Sequence, residues 1–259
     1  MSVCILTNNT ALFPPTSSSS GRLIRVMPLN TDEHGTIRPS IEDYSHTYND
    51  LEHSFNDILM LTASDTLLAV HDTAQQAAQS HGGTAKISSL DTLQIGPGLG
   101  ILAQFAARKA ATGATMQQVE EYIRSIIPYM FTIVLCSDNP QDLDSKKLHG
   151  SEHTNEKSNG AQVYSMEDGV LIPYKKIRTQ RHLLEIFQEF LGEFENPQYL
   201  AYFHGKNSGL HARPLRETAG GLFPDANFND LELNPVISSV LGEYSAGLTI
   251  LEMPDAQRL

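Results

Sequence analysis

A chain of 259 residues, 40% of them apolar, is long enough for one large domain or two modest ones, each with its own core. A formal charge of −12 with no basic cluster argues against a nucleic-acid partner and against residence on an anionic membrane surface. No run of about 18 apolar residues occurs, so no membrane insertion is expected, and the first residues lack the basic stretch and cleavage site of a secretory signal.

The chain opens with an apolar run, Val3-Cys4-Ile5-Leu6, then a polar stop, Thr7-Asn8-Asn9-Thr10. A Pro- and Ser-rich stretch over 14–20 and a second apolar run over 23–29 follow, so the start reads as strand, loop, strand. Ligands of open α/β sheets bind beyond the carboxyl ends of strands, which makes residues 7–10, with Asn8 and Asn9, a candidate binding loop. The same residues also suit an ordinary surface turn. Ile41, Tyr44, Tyr48, Leu51 and Phe55 recur at helical spacing behind Pro39-Ser40, with Glu42 and Asp43 in the first turn, where acids suit the helix dipole. A buried-strand pattern over 58–64, a helix over 66–80 and a strand over 85–90 follow, the last with Ser88-Ser89 near its end. Gly96-Pro97-Gly98-Leu99-Gly100 opens an Ala-rich helix, a further helix spans 116–127, and a strand spans 131–136. This alternation predicts a parallel-rich α/β sheet over 1–136.

Residues 137–160 are polar and too long for a tight connection, and read as a linker or mobile loop. Beyond them, two runs over 162–166 and 170–174 flank Glu167-Asp168-Gly169, a hairpin signature. Helices over 181–194 and 210–222 and strands over 200–203, 236–240 and 248–251 complete an α+β half, 161–259.

Several residues bear on chemistry. Cys4 and Cys136 lie in apolar runs and read as buried, reduced thiols of a cytoplasmic protein. Gly96-x-Gly98-x-Gly100 lacks the full dinucleotide fingerprint and the P-loop lysine, and reads as close packing at a strand-to-helix junction. His149 and His153, with Glu152, have helical metal-ligand spacing but sit in the polar segment, where solvated histidines are the plainer reading. Met27, Met60, Met130 and Met166 suit either an adaptable apolar lining or simple core. Arg178, Arg181, Arg213 and Arg216 read as a solvated basic rim. No Ser/His/Asp or Cys/His arrangement stands out by spacing, so no catalytic residue, metal or cofactor is assigned.

Several blocks then fall in one order. They are Ile5-Leu6-Thr7-Asn8-Asn9-Thr10-Ala11, Val26-Met27-Pro28-Leu29, Thr36-Ile37-Arg38-Pro39-Ser40, Leu61-Thr62-Ala63-Ser64, Ile87-Ser88-Ser89 with Gly98-Leu99-Gly100, Met166-Glu167-Asp168-Gly169-Val170-Leu171-Ile172-Pro173, and Asn234-Pro235-Val236-Ile237. This order resembles the DegV family of bacterial fatty-acid-binding proteins, as a divergent and shortened member. The resemblance implies an α/β protein of two domains, an N-terminal three-layer α/β/α domain and a C-terminal two-layer α+β lipid-binding domain. It implies a non-catalytic protein whose partner is a fatty acid or other amphiphile, held with its chain in an apolar tunnel and its head group at hydroxyls near the domain junction.

Carried over position by position, the resemblance assigns the head group to Thr36 and Ser64, with Arg38 as a further candidate because a guanidinium pairs with a carboxylate bidentately. Asn8, Asn9, Ser88 and Ser89 are candidate loop contacts. Where the family carries a second Ser, this chain has Asp65, which would repel an anionic head group unless protonated or turned away. A Ser-Gly-Thr stretch is here Leu68-Ala69-Val70, and the family's His-x-Gly-Pro-Gly is Val240-Leu241-Gly242-Glu243-Tyr244. The Gly-Gly-Arg segment of other members is missing, which speaks against a fatty acid kinase partner. These losses keep two alternatives open: a ligand-free interaction module, and a small-molecule hydrolase or phosphotransferase.

Overall fold

The structure, a computed structural model, describes residues 3–15, 19–30, 39–136, 162–177, 180–206, 208 and 211–254. The chain divides into two units, Met1–Pro128 and Tyr129–Leu259.

In the first unit, β1 (Val3–Asn8) lies between β2 (Ile24–Met27) and β3 (Asp57–Thr62), and β4 (Lys86–Asp91) completes a parallel sheet in the order β2-β1-β3-β4. Every residue of β1 is buried, as expected of a parallel strand covered on both faces. Ser88 and Ser89 are consecutive, so their side chains leave opposite faces. Ser88 Oγ donates to Glu120 Oε2 (2.7 Å) on α5 (Met116–Ile126), and Ser89 Oγ lies 3.1 Å from His71 Nδ1 on α3 (His71–Gln79). Helices α3 and α5 therefore cover opposite faces. Helix α1 (Ile41–Glu52) packs beside α3 and α4 (Pro97–Ala111) beside α5, giving three layers.

Local chemistry explains these elements. Ser40 Oγ accepts from the Asp43 amide (3.1 Å) and the Asp43 carboxylate accepts from the Ser40 amide (2.8 Å), a capping box that starts α1. Tyr44 and Tyr48 are fully buried, and their hydroxyls donate to the carbonyls of Val70 (3.4 Å) and Ala74 (3.1 Å), tying α1 to α3. The single helix expected over 66–80 is two: α2 (Asp65–Leu68) stops at Ala69, whose φ of 49° is left-handed, before α3 begins. Gly100 is required where it stands, because a Cβ there would collide with the Leu12 carbonyl; the glycine-rich junction is a packing feature.

In the second unit, β5 (Met130–Leu135), β6 (Gln162–Glu167), β7 (Val170–Lys176), β8 (Tyr199–His204), β9 (Asn227–Glu232) and β10 (Ala246–Leu251) form a sheet in the order β7-β6-β5-β10-β8-β9. All its pairs are antiparallel except β8–β9. The strand over 131–136, expected to end the parallel sheet, is β5 of this second sheet, because its ladder partners come from β10 and β6. Asp168 and Gly169 (φ 49° and 79°) make the expected tight hairpin turn. Helices α6 (Gln180–Leu191) and α7 (Ala212–Leu222) cover one face, making two layers around Ile133, Val163, Phe187, Leu200, Tyr202, Leu215 and Leu248.

Two elements of this unit differ from expectation. The strand expected over 236–240 is a helix, α8 (Pro235–Leu241): Asn234 Oδ1 accepts from the Ile237 amide (3.0 Å), and Pro235 takes the first helical position, where no amide is needed. The edge strand β9 was not expected, since its polar sequence has only Phe228 and Leu231 as large apolar residues. Met27, Met60, Met130 and Met166 are all core residues. Cys4 and Cys136 are free and buried, and burial pushes both thiols up to about 12. Among the described residues, no helix is long and apolar enough to cross a membrane.

Candidate functional site

The carboxyl ends of β1, β3 and β4 converge on one polar region of the first unit. β1 ends in Thr7 and Asn8, which belong to the strand itself, and Thr10 follows; all three are fully buried. Among the described residues, Thr7 Oγ1, Thr10 Oγ1 and both amide atoms of Asn8 find no hydrogen-bond partner. The Tyr44 hydroxyl is near enough to Asn8 to feel its amide, yet neither Asn8 atom reaches hydrogen-bond geometry. Burial dominates at Tyr44 and raises its pKa well above that of a free phenol. Asn9 is occupied within the fold. Its side-chain amide clamps Leu29, donating to the carbonyl (3.1 Å) and accepting from the backbone N–H (2.8 Å).

Ser64 stands just beyond β3 and is fully buried. Its N–H donates to the Gln94 carbonyl (2.9 Å), while the Thr92 hydroxyl (2.8 Å) and N–H (3.2 Å) both donate to the Thr62 carbonyl. The exits of β3 and β4 are thus bonded to each other. Asp65, which could have repelled an anionic head group, is turned toward α3: its Oδ1 accepts from the amides of His71 (2.7 Å) and Asp72 (3.4 Å). A carboxylate at a helix N-terminus is favourably placed.

Below this turn, His71 Nδ1 lies 3.2 Å from Thr62 Oγ1 and 3.1 Å from Ser89 Oγ, and Thr62 Oγ1 also approaches the Leu90 carbonyl (3.3 Å). Asp91, at the end of β4, accepts from the amides of Asp65 (3.2 Å) and Leu93 (2.9 Å). Burial raises the Asp91 pKa and nearby Asp65 adds to the rise, against the two amides and His71, which lower it. His71 and Asp91 were missed by sequence reasoning, because their contacts join positions 9 to 26 residues apart, and Asp65 was read only as a possible repulsion. The available signal was alternation: Ser89 and Asp91 share a face of β4, and that face meets α3.

The candidate residues therefore separate. Asn8 and Ser64 lie at neighbouring strand ends. Ser88 and Ser89 are mid-strand and point to opposite layers. Thr36 and Arg38 lie outside the described residues, as do Arg178 and the segment carrying His149, Glu152 and His153. Among the described residues no group of three His, Cys, Asp or Glu side chains is placed to hold a metal ion. Arg181 and Arg213 pair with Glu185 (3.0 Å) and Glu217 (2.9 Å), and Arg216 faces Asp230 (3.7 Å). Of the residues standing where the family's Ser-Gly-Thr and His-x-Gly-Pro-Gly are expected, Val70 is buried and Tyr244 is exposed.

Residues 5–141 match the model of the DegV family, a family described as uncharacterised proteins. No curated protein matches the chain. Among solved structures, the fold is similar to a DegV lipid-binding protein from Thermotoga maritima (TM-score 0.78, 21% identity, 97% of this chain and 98% of that one). It is also similar to DegV from Bacillus subtilis, described as a fatty acid binding protein (TM-score 0.79, 16% identity, 97% and 100%). A third is the fatty acid kinase B3 protein of Streptococcus pneumoniae, loaded with linoleic acid (TM-score 0.74, 16% identity, 97% and 99%). At these identities the likeness is one of fold, and it extends over both units.

Proposed function

The chain belongs to the DegV family, and from that premise we propose that it is a non-catalytic, cytoplasmic binding protein for a long-chain fatty acid or similar amphiphile. The reading rests chiefly on one observation, the likeness of fold along nearly the whole chain to proteins described as binding fatty acids. In this reading the acyl chain lies in an apolar tunnel and the head group meets the hydroxyls of Thr36 and Ser64, with Arg38 as a further contact. The physics is consistent with such a design. Each buried methylene contributes about 0.8 kcal/mol, whereas a carboxylate buried without hydrogen bonds is costly. A buried hydroxyl such as that of Ser64 is the kind of group a head group needs, and Asp65 is turned toward backbone amides. The pneumococcal neighbour's name joins it to a fatty acid kinase; for this chain we propose binding alone.

Protein purified from cells should release acyl chains on organic extraction, read by mass spectrometry, and should bind a fluorescent fatty acid. Thr36→Ala with Ser64→Ala should weaken binding by about 1–3 kcal/mol per lost charged hydrogen bond. A clean extract together with no binding of the fluorescent probe would overturn the reading.

One observation favours a hydrolase instead, the approach of Ser89 to His71. Against it, Thr62 competes for the same ring nitrogen and Ser89 sits mid-strand. Ester hydrolysis lost in Ser89→Ala would favour that second reading.

A further inference from the structure

Both peptide groups that flank Ser64 are held from the same place. Its own N–H donates to the Gln94 carbonyl (2.9 Å), and the next N–H, that of Asp65, donates to Asp91 Oδ2 (3.2 Å). The other oxygen of Asp91 accepts from the Leu93 amide (2.9 Å), which fixes the loop that presents Gln94. Asp65 extends the chain of contacts, since its carboxylate accepts from the first two amides of α3. The Ser64 turn is thus bounded by carboxylate-to-amide bonds on both sides.

The backbone around this turn is held in costly shapes. Leu93 (φ 57°) and Ala69 (φ 49°) are both left-handed without being glycine. The side-chain bond from Asp91 holds Leu93, and the Asp65 carbonyl accepts from the Ala69 amide (2.7 Å). Strain of this kind, about 1–3 kcal/mol per residue, persists only where surrounding contacts over-determine it. Fully buried Thr7, Asn8 and Thr10, with polar atoms that are unpartnered among the described residues, end the neighbouring strand. Holding one serine this firmly in a region of unsatisfied polar groups is what an orienting device requires.

We infer that Asp91 is a positioning residue: it binds no ligand, but sets the direction of the Ser64 side chain by capping the peptide after it, with Asp65 bracing the far end of the turn. This role deepens the proposed function and rests on it for the identity of the ligand. The identity of residue 91 then matters in a specific way. An asparagine there has one acceptor oxygen for two amides, whereas an asparagine at 65 keeps the oxygen that caps α3, because Asn and Asp cap equally well.

Two measurements on the full chain test the role. First, amide exchange of the ligand-free protein is followed by NMR. Asp91→Ala should speed exchange of the Asp65 and Leu93 amides by about tenfold or more while β10 stays protected. Unchanged exchange at both amides overturns the latch, whether or not the protein binds fatty acid. Second, affinity for a fluorescent fatty acid is measured in a double-mutant cycle with Ser64→Ala. Asp91→Ala should weaken binding about tenfold in the wild-type background and add little in Ser64→Ala. Asp91→Asn should fall between. Equal losses of affinity in both backgrounds would mean that Asp91 does not act through Ser64, and would overturn the positioning role. Faster exchange in a protein that binds no fatty acid overturns the fatty-acid reading while supporting the latch.

Discussion

At the end of β1 in the first unit, four buried polar atoms of Thr7, Asn8 and Thr10 lack a hydrogen-bond partner among the described residues. In the sheet of the second unit, Thr132 and Thr249 are also buried, yet their hydroxyls meet each other at 2.9 Å. The chain can therefore satisfy buried hydroxyls where the need is structural. Unsatisfied polar groups cost about 1–3 kcal/mol each, so their concentration beside the Ser64 turn marks a region not optimised for the stability of the protein alone. The second unit instead gathers a continuous apolar cluster between its sheet and α6 and α7.

The largest effect should come from that cluster. Phe187 is fully buried within it, and Phe187→Ala should cost about 3–5 kcal/mol in a urea titration, with the loss governed by how far the cavity collapses. A smaller change probes the satisfied pair. Thr132→Val strands the Thr249 hydroxyl and should cost about 1–3 kcal/mol, whereas adding Thr249→Val should recover most of the loss. The matching substitution in the first unit should have the opposite sign. Thr7→Val removes an unpartnered hydroxyl from a fully buried strand and should raise stability by about 1 kcal/mol. Stabilisation by Thr132→Val alone, or destabilisation by Thr7→Val, would erase the contrast.

The smallest effect concerns acid. Hydrogen bonds from the Ser40 backbone and side chain hold Asp43 below the usual carboxylate range. A depressed folded pKa contributes stability above the unfolded value, and that stability is lost as pH falls through the folded one. The α1 cap should therefore weaken in strong acid, and Asp43→Asn should flatten that part of the curve of stability against pH. The cap of α8 is the neutral Asn234 and should not respond.

Much of the architecture was legible in local chemistry. Ser40 and Asp43 announced α1, Asp168-Gly169 announced the hairpin, and Val3-Cys4-Ile5-Leu6 announced a buried strand. What escaped was decided at a distance. The apolar run at 131–136 says strand but not which sheet, and only its ladders to β10 and β6 decide that. The run Val236-Ile237-Ser238-Ser239-Val240 is short enough to suit either period, and the Asn234-Pro235 start signal should have decided it. Ala69 gave no warning of a helix break, since alanine is the strongest helix former and rarely takes the left-handed conformation. At the site, Asn8 was named by strand-end logic and Ser64 by the family resemblance, but His71, Asp65 and Asp91 meet only after β3 and β4 pair.

The opposite aims of Ser88 and Ser89 carry a consequence for how this chain can change length. Removing one residue from β4 ahead of the pair would swap the two layers' anchors, offering Glu120 the neighbour meant for His71 and presenting Leu90 to the imidazole. Natural variation in β4 should accordingly be confined to exchange of side chains, with insertions and deletions displaced to the turns on either side.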